Sequence, residues 1–120
     1  MKTKKILIIE DYDALQEELV SFLQIEGYST ISAKTNSDAI NKAIEYKPDL
    51  IIYDLEISDI NYYNIYEILE HIYMPNYIFL YRTGIPKYFL DNEALNKYNF
   101  IHIPMEFEAL IKIILKILKN

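Results

Sequence analysis

Acidic residues follow two predicted strands that are otherwise apolar. Glu10 and Asp11 come directly after Lys5 to Ile9, and Asp54 comes directly after Leu50 to Tyr53. Carboxylates within a few ångströms of one another raise each other's pKa values or recruit a cation. A set of hard oxygen ligands suits Mg²⁺ or Mn²⁺. A divalent-ion site is therefore predicted if the fold brings the ends of these two strands together.

Helix capping is the alternative role for these acids. Turns from a strand into a helix commonly carry Asp at the N-cap, and for Asp11 alone this interpretation is preferred. Asp54 follows a fully apolar strand, and an acid pair is expected one strand away from it. This combination favours a functional site over capping.

The elements that must position these acids are predicted from hydrophobic periodicity. Five short runs rich in β-branched and aromatic residues predict strands. They lie at Lys5 to Ile9, Tyr28 to Ser32, Leu50 to Tyr53, Tyr77 to Leu80 and Phe100 to Ile103.

Helical patterns lie between and after these strands. The first helix is expected to end at Gly27 in a left-handed C-terminal cap. The second begins at Thr35, which forms a capping box with Asp38, and ends at Lys47-Pro48. The stripes expected to be buried are Leu15, Leu19 and Phe22 in the first helix, Ala39, Ile40, Ala43 and Ile44 in the second, and Ile65, Ile68, Leu69 and Ile72 in a third.

A short fourth helix is predicted near Asp91 to Tyr98 and a fifth over Phe107 to Lys119. The strict alternation predicts parallel strands, right-handed crossovers and helices on both faces of the sheet. We therefore expect one α/β domain over residues 1–120, a flavodoxin-like doubly wound (βα)5 three-layer sandwich with strand order 2-1-3-4-5. In such folds ligands bind beyond the carboxyl ends of the strands.

Composition narrows the classes of partner. The net charge of −6 argues against nucleic-acid binding, which depends on Lys and Arg. The chain has no cysteine, and its N-terminal apolar run is too short for a signal peptide or a membrane span. We expect a cytoplasmic protein that binds other proteins or cations, and neither nucleic acid nor membrane.

Two segments of the chain resemble the sequence patterns of response regulator receiver domains. These segments run from Lys5 to Asp11 and from Pro48 to Asp54. The order of Gly27-Tyr28, Ala39 and Pro104 is also similar to the family pattern. The resemblance spans essentially the whole chain.

The resemblance implies a site and a mode of action. Asp54 would be the phosphoacceptor, and Mg²⁺ (or Mn²⁺) would be held by Asp11, Asp54 and the backbone carbonyl of Glu56, with Glu10 assisting through water. The phosphoryl group would come from a sensor histidine kinase or a phosphotransfer protein, and the signal would pass to a downstream protein. The chain would not be an enzyme beyond accepting and losing this group on Asp54.

Several positions depart from the family pattern. Ile103 stands where the family has a lysine, and Tyr81 stands where it has Thr or Ser. Phe100 occupies the position of the aromatic switch residue, and a bulky Tyr81 is expected to hinder its inward swing. Arg82, the only arginine, is a candidate replacement for the missing lysine, and an ordinary solvated arginine is the simpler alternative. Ser58 and Tyr62 replace the family's Pro and Gly in the loop after Asp54.

These departures leave two interpretations open. Either Asp54 is phosphorylated slowly, or the pocket is vestigial and the domain is a pseudo-receiver that presents a fixed surface for protein interaction or dimerisation. A flavodoxin-like nucleotide-binding domain is disfavoured because no Gly-rich loop follows the first strand. His102 has no nucleophile beside it in sequence and is interpreted as a half-buried polar neighbour.

The last helix offers a candidate interface. Its apolar residues cover a wider arc than packing on one side of a sheet requires. Ile111, Leu115 and Leu118 lie toward the margin of that arc, and an exposed apolar strip there would suit a partner or a homodimer.

Overall fold

The computed structural model describes residues 3–57 and 62–119. Within these ranges five strands alternate with five helices. The strands are β1 (Lys5–Ile9), β2 (Ser29–Ala33), β3 (Leu50–Asp54), β4 (Asn76–Tyr81) and β5 (Asn99–His102). The helices are α1 (Asp13–Ile25), α2 (Asn36–Tyr46), α3 (Tyr62–Leu69), α4 (Lys87–Leu90) and α5 (Phe107–Leu118). Ser58 and the side chain of Tyr62, two predicted departures in the loop after β3, lie outside what is described.

The strands form one parallel sheet in the order β2-β1-β3-β4-β5, which confirms the predicted topology. Side chains alternate between the two faces, so Leu7 and Ile9 enter one apolar cluster while Ile6 and Ile8 enter the other. The first cluster includes residues of α2, α3 and α4, and the second includes residues of α1 and α5. The central strands are continuous apolar runs because both faces of the sheet are covered.

The predicted ends of the first two helices are confirmed. Gly27 follows α1 with a φ of +97°, a left-handed conformation that glycine adopts without steric penalty. The Thr35 hydroxyl accepts a hydrogen bond from the Asp38 N–H at 3.1 Å, as an N-cap residue does. Lys47, just before Pro48, ends α2 in a left-handed conformation.

The predicted position of the fourth helix is wrong. The helix forms at Lys87–Leu90, where Pro86 supplies a backbone suited to a helix start and Phe89 is buried as an anchor. Residues 91–98 form turns instead. In this segment Leu95 is the side chain buried in the core. The Asn92 side chain accepts a hydrogen bond from the Ala94 N–H, which turns the chain.

Some of the predicted buried stripes are also wrong. Ile44, Ile68 and Ile72 are each about two-fifths exposed, at 38%, 40% and 43%. In α2 the buried face runs through Asn36, Ala39 and Ala43, so Ile44 points away from the core. In α3 the buried side chain beside Ile65 and Leu69 is that of Tyr66, and Ile68 and Ile72 point away from the core.

The last helix buries more of its apolar surface than predicted. Leu110, Ile114 and Leu118, spaced four residues apart, face the sheet, so the prediction that Leu118 is exposed is wrong. Leu115 is 47% exposed, and Ile111 is partly buried against the core. Across the described ranges, no helix is long and apolar enough to cross a membrane.

Candidate functional site

The carboxyl ends of β1 and β3 lie side by side, with Ile9 paired to Tyr53. This pairing brings Glu10 and Asp54 together in the crevice above the sheet. Both are buried, with exposures of 1% and 2%. The Glu56 N–H donates a hydrogen bond of 2.8 Å to Asp54 Oδ1 and fixes the orientation of that carboxylate.

The pKa of Glu10 is strongly perturbed by burial and by the neighbouring Asp54. Burial, followed by a hydrogen bond to Asp54 and the charge of Asp54, raises the pKa of Glu10 to about 8. The Tyr12 N–H donates to Glu10 Oε2 at 3.1 Å and opposes this shift. Two carboxyl groups form a hydrogen bond only when one keeps its proton, and among the described residues Glu10 Oε1 has no other hydrogen-bond partner. The pocket is therefore short of positive charge.

A divalent cation would supply the missing positive charge. Glu10 Oε1 is a buried oxygen to which no group in the described part of the chain donates, and Asp54 and the backbone carbonyl of Glu56 are further oxygen ligands of the kind that Mg²⁺ prefers. Asp11 is partly exposed at the edge of the pocket and adds to the negative charge that Glu10 experiences. Among residues 3–57 and 62–119, no three His, Asp or Glu side chains are already gathered as a metal site. The ion and its ligand set stay a prediction.

The raised pKa of Glu10 predicts how stability depends on pH without divalent ions. The folded protein holds a proton that the unfolded chain has lost, so stability is highest below about pH 4.5 and falls as the pH rises toward about 8. Glu10→Gln keeps an acceptor for the Tyr12 N–H and adds a donor toward Asp54. We expect this variant to raise the free energy of unfolding near the upper end of that range by about 1 to 2 kcal/mol.

Urea denaturation in the presence of a chelator measures this effect. The difference between Glu10→Gln and the unaltered protein should be small near pH 4.5, where Glu10 is protonated, and large near pH 8. Mg²⁺ should reduce the difference near pH 8, because the ion stabilises the ionised carboxylate. An equal difference at both pH values would contradict the proposed coupling of Glu10 to Asp54.

The two predicted switch positions are occupied by packed rings. The Phe100 ring lies 5.1 Å from that of Phe79 and 6.1 Å from that of Phe89, between the sheet and α4. Tyr81 ends β4 partly buried, with its ring 5.2 Å from that of His102. The Phe100 ring thus packs inward against Phe79 and Phe89, whereas the Tyr81 ring lies against His102.

The position of the family lysine is apolar in structure as well as in sequence. Ile103 is 4% exposed, is followed by a cis bond to Pro104 and joins the apolar cluster under α5. It also lines a groove of about 220 Å³ with Tyr12 and the exposed Arg82. An alkyl side chain therefore stands where the resemblance implies an ammonium group.

The Glu56 side chain was missed by the analysis of the sequence. Its carboxylate accepts hydrogen bonds from the backbone N–H groups of Arg82 and Thr83, the second at 2.7 Å, and from the Thr83 hydroxyl at 3.2 Å. These contacts, with that of the Thr83 N–H first, lower the pKa of Glu56. The partners are 26 and 27 residues away in sequence, and no motif links them.

His102 was also assigned too small a role. It is exposed, not half-buried, and its Nε2 lies 3.0 Å from the backbone carbonyl oxygen of Arg82. The N–H groups of the loop after β4 thus donate to Glu56, and the Arg82 carbonyl oxygen of the same loop contacts His102.

Comparison with known proteins identifies the family to which this fold belongs. The family model for the response regulator receiver domain matches residues 6–115. The chain belongs to this family. As a receiver domain it is similar to the sensory transduction protein LytT of Enterococcus faecalis, with 27% identity over 117 residues that cover 96% of this chain and 48% of that protein. The polar-differentiation response regulator DivK of Brucella ovis is 29% identical over 59 residues, which cover 49% of this chain and 48% of that protein.

The chain spans about half the length of LytT, and its match to DivK is likewise confined to about half of each protein. Solved receiver structures agree over nearly the whole domain. The non-phosphorylated HemR receiver domain from Leptospira biflexa has a TM-score of 0.84 and 25% identity, covering 98% of this chain and 96% of that one. A two-component response regulator from Clostridium difficile has a TM-score of 0.83 and 24% identity, covering 98% of both chains. The likeness to the Clostridium difficile regulator concerns the fold alone.

Proposed function

We propose that this receiver domain accepts a phosphoryl group on Asp54 from a histidine kinase or phosphotransfer protein and transmits the signal to a downstream protein by contact. The observation that carries this proposal is the position of Asp54. Its carboxylate lies at the carboxyl end of the central strand, oriented by the Glu56 N–H and adjacent to Glu10. The chain would act in the cytoplasm as a signalling module and not as an enzyme.

The chemistry follows from a buried carboxylate nucleophile. A carboxylate oxygen of Asp54 attacks phosphorus, the bond from phosphorus to the donor nitrogen breaks, and that nitrogen takes up a proton. Mg²⁺ held by Asp11, Asp54 and the Glu56 carbonyl would offset charge on the transferring oxygens. Until the ion binds, the adjacent carboxyl groups of Glu10 and Asp54 leave the pocket with an excess of negative charge.

The same pocket should react slowly. A positive group aimed at developing negative charge contributes a few kcal/mol to transition-state stabilisation, and Ile103 supplies none. The bulky Tyr81 stands where the family has a small hydroxyl. Arg82 is exposed beside the groove and is the nearest candidate to replace the missing charge.

Intact-protein mass spectrometry tests this proposal. After incubation with phosphoramidate and Mg²⁺, we expect slow addition of one phosphoryl group, and no addition in Asp54→Asn. The amide variant keeps the acceptor for the Glu56 N–H, so it is a matched control for folding. Addition to both proteins, or to neither after long incubation, would contradict Asp54 as the acceptor.

A pseudo-receiver is the second candidate, and it is favoured by the apolar Ile103 in a buried position. In that case the domain works through a fixed surface whatever the state of Asp54. The exposed Leu115, beside the partly buried Ile111, is what remains of the predicted homodimer strip on α5. A partner pull-down that is equal for the unaltered protein and Asp54→Asn would favour this candidate.

A further inference from the structure

Three hydrogen-bond donors in the loop after β4 converge on one carboxylate. The N–H groups of Arg82 and Thr83 both point at Glu56 Oε2, and the Thr83 hydroxyl reaches Oε1 at 3.2 Å. Successive backbone N–H groups that share one acceptor form the kind of concave donor set that binds anionic oxygens in proteins. We name these three donors the loop anion set.

The loop anion set is held in place from the opposite side. The His102 ring contacts the Arg82 carbonyl oxygen, and the Ile103 N–H donates to the Tyr81 carbonyl at 2.9 Å. Both contacts come from β5 and its end, so they do not depend on Glu56. The donors are therefore oriented by the sheet and remain available to another anion when Glu56 leaves.

The loop anion set also lies on the Asp54 side of the crevice. Asp54 pairs with Leu80 across the sheet, and the Leu55 N–H donates to the Leu80 carbonyl at 2.9 Å, only two residues before Arg82. On the other strand Glu56 is only two residues after Asp54 and donates its own N–H to that carboxylate. A group attached to Asp54 and the Glu56 carboxylate would thus meet at the same donors.

We infer that the Glu56 carboxylate occupies the loop anion set as an internal competitor of a phosphoryl group on Asp54. The inference rests on the proposed function, because the competing anion is the phosphoryl group on Asp54. The acyl phosphate carries up to two negative charges where the carboxylate carried one, which repels Glu56, and its oxygens are strong acceptors for N–H donors. Phosphorylation then displaces Glu56 from the loop, and without phosphorylation Glu56 occupies the three donors.

Hydrogen exchange tests the occupancy by Glu56 without any phosphodonor. In Glu56→Ala we expect the Arg82 and Thr83 amides to exchange at least about tenfold faster than in the unaltered protein. Glu45→Ala, which removes an exposed glutamate on α2, should leave both amides unchanged. Unchanged exchange of these amides in Glu56→Ala would overturn the inference that Glu56 occupies the set.

Anion titration tests the competition. If Glu56 fills the set in nine molecules out of ten, its removal should tighten Mg²⁺-dependent binding of beryllofluoride about tenfold, and Thr83→Val in the Glu56→Ala background should reverse part of that gain. Equal affinity with and without Glu56 would overturn the competition while leaving phosphorylation of Asp54 intact.

A titration with sulfate separates this inference from the proposed function. Sulfate should produce saturable shifts of the Arg82 and Thr83 amides in Glu56→Ala with an affinity about tenfold higher than in the unaltered protein, even if beryllofluoride binds to neither. That pattern would remove the proposed function and retain the loop anion set. Absence of sulfate shifts in Glu56→Ala would overturn the set itself.

Discussion

Replacing Phe79 with alanine is expected to lower the free energy of unfolding by about 3 to 5 kcal/mol, the largest loss from one side chain that we predict. Phe79 is 1% exposed on β4. Five aromatic rings surround it with centroids between 5.0 and 6.3 Å away, those of Tyr53, Tyr77, Phe89, Tyr98 and Phe100. Removing the ring leaves a cavity that these rigid neighbours cannot fill by small rotations.

Phe107→Ala is the matched control for this loss. Phe107 is only partly buried at the start of α5, where its ring lies 5.0 Å from that of Phe22. The same chemical change there should destabilise the protein by clearly less. Urea denaturation of the two variants measures both values. Equal losses would contradict the prediction that the buried, ring-packed position of Phe79 makes the larger contribution to stability.

Replacing Ile103 with lysine is expected to accelerate phosphorylation of Asp54 by about 100-fold. The resemblance to the family implies a lysine at this position, and Ile103 lines the groove that also contains Arg82. An ammonium group on a long side chain from this position would add positive charge near the buried carboxyl groups of Glu10 and Asp54. The initial rate of mass gain with phosphoramidate measures the effect.

Ile103→Met controls for the change of shape at this position. Methionine is unbranched and long, as lysine is, but carries no charge. It should leave the slow rate unchanged. If Ile103→Met accelerates the reaction as much as Ile103→Lys does, steric access and not charge limits the rate. If Ile103→Lys folds and reacts no faster, the missing cation does not explain the slow reaction.

The topology could be predicted from the sequence because its signals are local and repeated. The β1 run is apolar from Ile6 to Ile9, as a strand buried on both faces must be, and its predicted and observed limits, Lys5 to Ile9, agree. Gly27 and the capping box at Thr35 mark helix ends by backbone chemistry that does not depend on the rest of the fold. The neighbourhood of Glu10 and Asp54 then follows from the parallel arrangement, because the carboxyl ends of parallel strands lie at one edge of the sheet.

What could not be predicted depends on contacts that form only after folding. Pro86 and Phe89 place α4 before Asp91, although the apolar spacing after Asp91 resembles a helix. Ile44 is exposed because tertiary packing selects the alanine face of α2, whereas periodicity cannot rank adjacent faces of one helix. The Glu56 contacts join two loops across the sheet, and an isolated glutamate carries no sequence signal for such a role.

The most direct test of the central claim is a Mg²⁺-dependent titration with beryllofluoride, followed by backbone amide NMR, of the unaltered protein and Asp54→Asn. Beryllofluoride stands in for a phosphoryl group on a carboxylate. We predict saturable shifts of the amides near Asp11, Asp54 and Tyr81 that require Mg²⁺ and vanish in Asp54→Asn. No shifts in a folded, Mg²⁺-saturated protein would contradict the account and leave a module that binds its partner without phosphorylation.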